Sequence, residues 1–327
     1  MEAKSLADML RRSCRTYADK DAMLCPDGKG FRRITYRELE EQVRLYAGAL
    51  KSLGLQRGDK LAIQSENMPE WAICDWACQT VGVVVVPIYP TLPPDQTQYI
   101  VTNSEAKLVV TSTAEQAAKS QDLQGVRVIL LRGSEDSLDA LAKARAGELV
   151  QGVWEREIDL AKAEDVATII YTSGTTGAPK GAMLQHRAFT FICEQALQSL
   201  PIGHADTFLS FLPMSHVYER VAGQALPISC GATVAYAKSL MTLANDMVAA
   251  KPTIMLCVPR FLEATMDKIT DAARKNPPVR RKLFDWALSQ GAKKAKGGFA
   301  PLAGVLDKLV GSKIREKTGG RMRFFVS

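Results

Sequence analysis

Short apolar runs alternate with amphipathic stretches along most of the chain. KLAIQ (60–64), VGVVVVPIYP (81–90), KLVVTS (107–112), VRVILL (126–131) and VATIIY (166–171) are brief and rich in β-branched residues, and they read as buried strands. GAMLQ (181–185), TFLSFLP (207–213), ATVAYA (232–237), TIMLCVP (253–259) and RMRFFVS (321–327) extend the series. Helical stripes fall between them. Leu6, Met9, Leu10 and Tyr17 share one face; Leu39, Val43, Tyr46, Leu50 and Leu53 share another. The second stripe follows a capping box, Thr35 with Glu38, and Gly54 is placed to end it. Pro69 opens a helix carrying Trp71, Cys74 and Cys78, residues 96–106 form another, and Phe189, Ile192, Cys193, Ala196 and Leu200 mark one more. Residues 133–152 are polar and flanked by glycine, which predicts a surface excursion. Strands alternating with short helices predict an α/β fold, with a mainly parallel sheet covered on both faces.

Composition adds little to this and excludes some classes. The 327 residues are 46% hydrophobic and 24% charged, with ample apolar material for a core. No apolar run approaches the ~20 residues that cross a bilayer. The N-terminus is charged from its second residue, without the apolar stretch of a signal peptide. Seven scattered cysteines, none in a C-x-x-C pair, read as buried reduced thiols of a cytoplasmic protein. Cys74 and Cys78, one helical turn apart, read as core rather than a metal site. The net charge of +7 is uneven. Residues 271–327 hold 14 Lys/Arg against 4 Asp/Glu, so the rest of the chain is slightly acidic. A whole-chain argument for nucleic acid therefore fails, and no nucleic-acid partner is expected.

The chemistry concentrates in YTSGTTGAPKG (171–181). A buried strand runs into a loop with two glycines three residues apart. Gly174 and Gly177 leave room for a ligand and permit torsions that turn backbone N–H groups inward. Thr172, Ser173, Thr175 and Thr176 add hydroxyls, Lys180 adds a cation, and Pro179 stiffens its approach. Many donors, one cation and little bulk suit a polyphosphate. The stretch matches neither G-x-x-x-x-G-K-[ST] nor G-x-G-x-x-G. It matches the GXXG loop of RNA-binding KH modules literally, but a strand rather than a helix leads in.

IIYTSGTTGAPK (169–180) resembles the phosphate-loop signature of the adenylate-forming (AMP-binding) superfamily. Residues 34–59, ENMPEW (66–71), residues 87–107, FLPMSHVYERVAG (211–223) and VPRFLE (258–263) resemble its long-chain fatty acyl-CoA synthetase branch, in the right order. The resemblance implies ATP-dependent activation of a fatty acid to an acyl-adenylate, then transfer to coenzyme A, with Mg²⁺ assisting. It assigns Thr172, Ser173, Gly174, Thr175, Thr176, Gly177 and Lys180 to the ATP phosphates, and Thr172 to Mg²⁺. It makes His216 a wall between nucleotide and acyl group. Glu219 and Arg220 are expected to pair and orient the histidine turn, His186 to cap a helix, and His204 to lie in a loop.

The resemblance also implies an acyl-CoA synthetase-like large N-terminal domain of two α/β subdomains. One is expected at about 56–205 and the other at about 5–55 plus 206–327. The superfamily's adenine loop, its Tyr-Gly-x-Thr-Glu segment and its mobile C-terminal domain do not occur in the sequence, so the chain is expected to be a truncated, catalytically incomplete part. An open sheet face and a dimer through it are the corresponding expectation. Two alternatives stay open: transfer to an acyl carrier protein in place of coenzyme A, and a non-catalytic nucleotide- or RNA-binding module. Finally, residues 273–298 join eight basic groups to Leu283, Phe284, Trp286, Ala287 and Leu288. They read either as a solvated helix with one apolar contact face or as a peripheral contact with the inner face of an anionic membrane.

Overall fold

A computed structural model describes residues 3–28, 30–144, 149–172 and 178–327. In chain order the elements are α1 (Leu6–Thr16), β1 (Asp21–Asp27), β2 (Gly30–Thr35), α2 (Tyr36–Ser52), β3 (Lys60–Gln64), α3 (Pro69–Val81), β4 (Val84–Ile88), α4 (Pro94–Ser104), β5 (Ala106–Thr111), α5 (Ala114–Ala118), β6 (Arg127–Leu130), α6 (Leu138–Ala144) and α7 (Gln151–Asp159). They continue with β7 (Val166–Thr172), β8 (Lys180–Gln185), α8 (His186–Ser199), β9 (Thr207–Ser210), a π-helical turn (Glu219–Ala225), α9 (Leu226–Ser229), β10 (Thr233–Tyr236), α10 (Leu243–Ala250), β11 (Ile254–Leu256), α11 (Pro259–Arg274), α12 (Pro278–Ala295), α13 (Ala303–Leu306), a second π-helical turn (Asp307–Gly311), α14 (Ser312–Glu316) and β12 (Phe324–Val326).

These form two six-stranded sheets of the same design. The first runs β6-β5-β3-β4-β7-β8 and the second β12-β11-β9-β10-β1-β2. Within each, five strands are parallel and a hairpin adds one antiparallel edge strand, β8 in the first and β2 in the second. The strands buried on both faces are the continuous apolar runs; β4 is buried at every position. One large hydrophobic cluster extends across both sheets, from Ile63 of β3 and Trp71 of α3 to Val234 and Tyr236 of β10.

Local sequence explains the helix ends. Thr35 accepts from the Glu38 N–H while the Glu38 carboxylate accepts from the Thr35 N–H, a reciprocal cap for α2. Pro69 stands in the first turn of α3, where its missing N–H costs nothing. Gly82 ends that helix in the left-handed region, φ 71°, and a Cβ there would collide with the Arg57 guanidinium. That arginine in turn donates to the Glu157 carbonyl at 2.7 Å, fastening α7.

Several expectations need correction. Residues 133–152 are not simply an excursion: α6 buries Leu138 and Ala142 and packs on α2, and Leu149 lies against Gly48. The stripe on α8 is narrower than its periodicity, because Phe189 and Cys193 are buried while Ile192 is exposed. The apolar contact face of 278–295 is narrow: Phe284 is buried and Leu283 and Ala287 are half-buried beside it, while Trp286 and Leu288 are exposed. All seven cysteines are free and buried.

Candidate functional site

Ligands of open α/β sheets gather beyond the carboxyl ends of parallel strands. Two turns that carry the candidate residues leave such ends. The phosphate-loop motif leaves β7 and returns as β8. Thr172 closes one strand, Lys180 opens the other, and the two residues are register partners across the hairpin. Both are exposed. Among the described residues neither side chain has a hydrogen bond or ion pair, so hydroxyl and ammonium stand uncommitted at the mouth of the loop. Ser173, Gly174, Thr175, Thr176 and Gly177 lie outside the described residues. The strands on both sides rule out the KH reading, which needs helices there.

The base of this hairpin is tightly fitted. Gly181 faces Ile169 and Tyr171, and a Cβ on it would meet the Ile169 Cγ2 at 2.7 Å. The Tyr171 hydroxyl donates to Asn103 Oδ1 of α4 at 2.6 Å, and its ring meets Tyr99 edge-on at 6.5 Å between centroids. Contacts within the hairpin and to α4 therefore fix where Thr172 and Lys180 emerge.

The second turn follows β9. His216 is exposed, and its Nδ1 accepts the Tyr218 N–H at 3.1 Å, which leaves the proton of the neutral ring on Nε2. The Tyr218 hydroxyl donates to the Val326 carbonyl at 3.0 Å, tying the turn to β12. Asn67, after β3, donates to the Leu212 carbonyl at 2.6 Å and accepts the Met214 N–H at 2.9 Å. One side chain thus joins the carboxyl end of a strand in the first sheet to the turn leaving the second. No motif assigns Asn67 this role. Its only signal is an Asn just before the Pro-started α3.

The expected Glu219–Arg220 pair does not form. Neighbouring helical residues point apart. Arg220 is 2% exposed and makes a two-pronged contact with Asp75 of α3, at 2.6 and 2.7 Å. Its guanidinium also lies 5.9 Å from the Trp71 ring and 5.5 Å from that of Phe189. Glu219 points instead into the core beside Gly223, Ser210 and Gln224, and neither carboxyl oxygen has a normal hydrogen bond among the described residues. Burial pushes its pKa up to about 8, against the partial help of Ser210 and Gln224, so it is a neutral acid at pH 7. Gln224 donates to Ser210 and accepts from Tyr236, extending this polar chain from β9 to β10.

The remaining histidines are structural. His186 is buried, and its Nδ1 accepts the Leu6 N–H at 3.3 Å. It therefore caps α1, 180 residues away, rather than its own helix. Burial lowers its pKa to about 4. His204 lies in the loop before β9, where its carbonyl accepts from the Lys20 ammonium.

The AMP-binding enzyme family model matches residues 10–323. The chain belongs to this family. Among curated relatives, peroxisomal long chain acyl-CoA synthetase 7 of Arabidopsis thaliana is 32% identical over 307 residues, covering 90% of this chain and 44% of the relative. Human long-chain-fatty-acid–CoA ligase 1 is 30% identical over 324 residues, covering 90% of this chain and 45% of its own length. The chain thus spans somewhat under half the length of these relatives. Among solved structures, VinN with L-aspartate matches with a TM-score of 0.70 at 22% identity, over 84% of this chain and 66% of its own. The N-terminal domain of FACL13 from Mycobacterium tuberculosis gives 0.70 at 22%, over 80% and 64%. The two-sheet α/β fold is therefore that of the N-terminal domain of adenylate-forming enzymes. Among the described residues no helix is long and apolar enough to cross a membrane, and no group of three His, Cys, Asp or Glu could hold a metal ion.

Proposed function

We propose that the chain supplies the phosphate- and acyl-binding half of a long-chain fatty acid–CoA ligase. The observation that carries this is the β7–β8 hairpin, which presents Thr172 and Lys180 side by side at a strand's carboxyl end, neither with a side-chain partner among the described residues. The family match and the relatives' names support the reaction class. In it, a substrate carboxylate oxygen attacks the α-phosphorus of ATP, the bond to the β-phosphate breaks, and pyrophosphate leaves. The coenzyme A thiol then displaces AMP from the acyl carbon.

Attack of an anion on an anion needs charge neutralised and groups aligned. Lys180 supplies the positive charge to the β- and γ-phosphates, and Thr172 a hydroxyl. Ser173, Gly174, Thr175, Thr176 and Gly177 are assigned to the same phosphates by the motif. Hydroxyl and phosphate oxygens are the donors Mg²⁺ prefers, so Thr172 would hold the ion, which supplies further neutralisation. His216 walls the acyl side, its turn fixed from beneath by Asn67, Tyr218 and the buried Arg220–Asp75 pair. Coenzyme A is favoured over a carrier protein as acceptor because the curated relatives are named as CoA ligases.

Two measurements test the reading. A hydrolysis-resistant acyl-adenylate bearing a hexadecanoyl chain should bind residues 1–327 more tightly than its acetyl counterpart; equal affinity would remove the long-chain assignment. ATP–pyrophosphate exchange by the same polypeptide should stay at background, because more than half of each relative has no counterpart in it. Robust exchange would refute that incompleteness.

A further inference from the structure

Helix α3 reaches the elements behind both turns through two side chains, Asp75 and Gln79. Gln79 is 1% exposed, and its Nε2 donates twice: to Asp75 Oδ1 at 2.9 Å and to the Ala167 carbonyl of β7 at 3.3 Å. The same Asp75 carboxylate takes the Arg220 guanidinium, and the Arg220 N–H donates to the His216 carbonyl at 3.1 Å. The chain of bonds is therefore continuous. It starts on the strand that ends in Thr172, passes through Gln79, Asp75 and Arg220, and finishes on the backbone of His216. Stability alone does not call for an amide here. Gln79 Oε1 has no hydrogen-bond partner among the described residues, so burial of the group is only partly compensated. An unbranched apolar side chain such as Met would fill similar space without that cost. What the amide adds is two directed bonds, one to the strand and one to the carboxylate that holds the histidine turn.

We infer that Gln79 is a positioning residue: it locks β7 to the histidine turn, so that the phosphate-facing groups and the His216 wall keep one spacing. It acts through Asp75, Arg220 and the strand, and touches no substrate itself. The inference rests on the proposed reading of the two turns as halves of one site. A ligand that reaches both halves feels their spacing, and a ligand confined to one half does not. Under that reading ATP reaches both, with its β- and γ-phosphates at Thr172 and Lys180 and its nucleoside end toward His216. Pyrophosphate reaches the hairpin alone. A hydrolysis-resistant hexadecanoyl-adenylate, which lacks the β- and γ-phosphates, reaches the wall alone.

Calorimetric titration of residues 1–327 and of Gln79→Met with these three ligands, in the presence of Mg²⁺, tests it. Gln79→Met should bind Mg-ATP about five- to tenfold more weakly, while its affinities for pyrophosphate and the acyl-adenylate stay within about twofold of wild type. A residue that only supports the fold would leave all three affinities unchanged or weaken all three together, and either pattern overturns the inference. If Gln79→Met does not melt cooperatively, Gln79→Asn, one methylene short of the Ala167 carbonyl, replaces it under the same criteria. Wild type that binds neither Mg-ATP nor pyrophosphate would sink the phosphate reading itself, and the inference with it. Wild type that binds the ligands, joined to the wrong pattern in the variant, would sink the inference alone.

Discussion

The turn after β7 and the turn after β9 both leave the carboxyl end of a buried parallel strand, yet the described residues that flank or form them are set in opposite ways. At the first, Thr172 and Lys180 are exposed and have no partner among the described residues, while the fitted parts, Gly181 and the Tyr171–Asn103 bond, lie one step back. At the second, the turn is fastened from every side: Asn67 holds its backbone, Tyr218 reaches β12, and Arg220 anchors its base to Asp75. The difference separates two tasks. Groups that meet a charged ligand must stay free of internal partners, whereas groups that fix a wall's position gain from burial and pairing. Substitutions at the first turn should therefore change binding and spare stability, and those beneath the second should do the reverse.

The largest expected effect is at Arg220. Arg220→Ala leaves Asp75, a largely buried carboxylate whose other side-chain donor is Gln79, without its countercharge and should cost about 3–5 kcal/mol in denaturant unfolding. A cost below about 1 kcal/mol would mean that the pair does not anchor the turn. Asn67→Ala removes one good donor and one acceptor between the sheets, and a loss of about 1–3 kcal/mol is expected by the same measurement. No loss would show that the two sheets are held without it.

A pH series sharpens the contrast further. Glu219 has its folded pKa raised to about 8 from an ordinary 4.5. Its contribution is therefore fully present below the ordinary value and is lost as pH rises toward 8, because the unfolded chain ionises first. Glu219→Gln should flatten that decline between about pH 4.5 and 8 while leaving acid stability alone. An unchanged slope would mean the carboxyl is not held neutral. A second, smaller pH effect than that of Glu219 is at His186, whose pKa is lowered to about 4 from 6.5. Its contribution is complete above 6.5 and fades as pH falls toward 4. His186→Gln, which keeps an acceptor for the Leu6 N–H, should remove that fading from the melting profile; a profile identical to wild type would exclude it.

The strands buried on both faces, the capping box of α2, the Pro69 start of α3 and the α/β class are legible in the sequence, because each rests on a local signal. The β1–β2 hairpin is not, since Pro26 and the exposed Arg32 and Arg33 break the apolar alternation. The burial of Leu138 and Ala142 escapes notice for a similar reason: their neighbours are polar, and only packing on α2 makes them core. At the site, residue types are legible and partners are not. Arg220 pairs across 145 positions and His186 caps a helix across 180, distances that no local pattern encodes.

The central claim is that the exposed pair on the β7–β8 hairpin exists to hold phosphate. It is tested most directly by titrating residues 1–327 with Mg-ATP in a calorimeter, alongside Lys180→Ala, and melting both proteins. The account predicts that wild type binds, that Lys180→Ala binds about 10–100-fold more weakly through loss of a charged contact, and that the melting temperatures agree. Equal affinity of the two proteins, or a substantially lower melting temperature for Lys180→Ala, would contradict it.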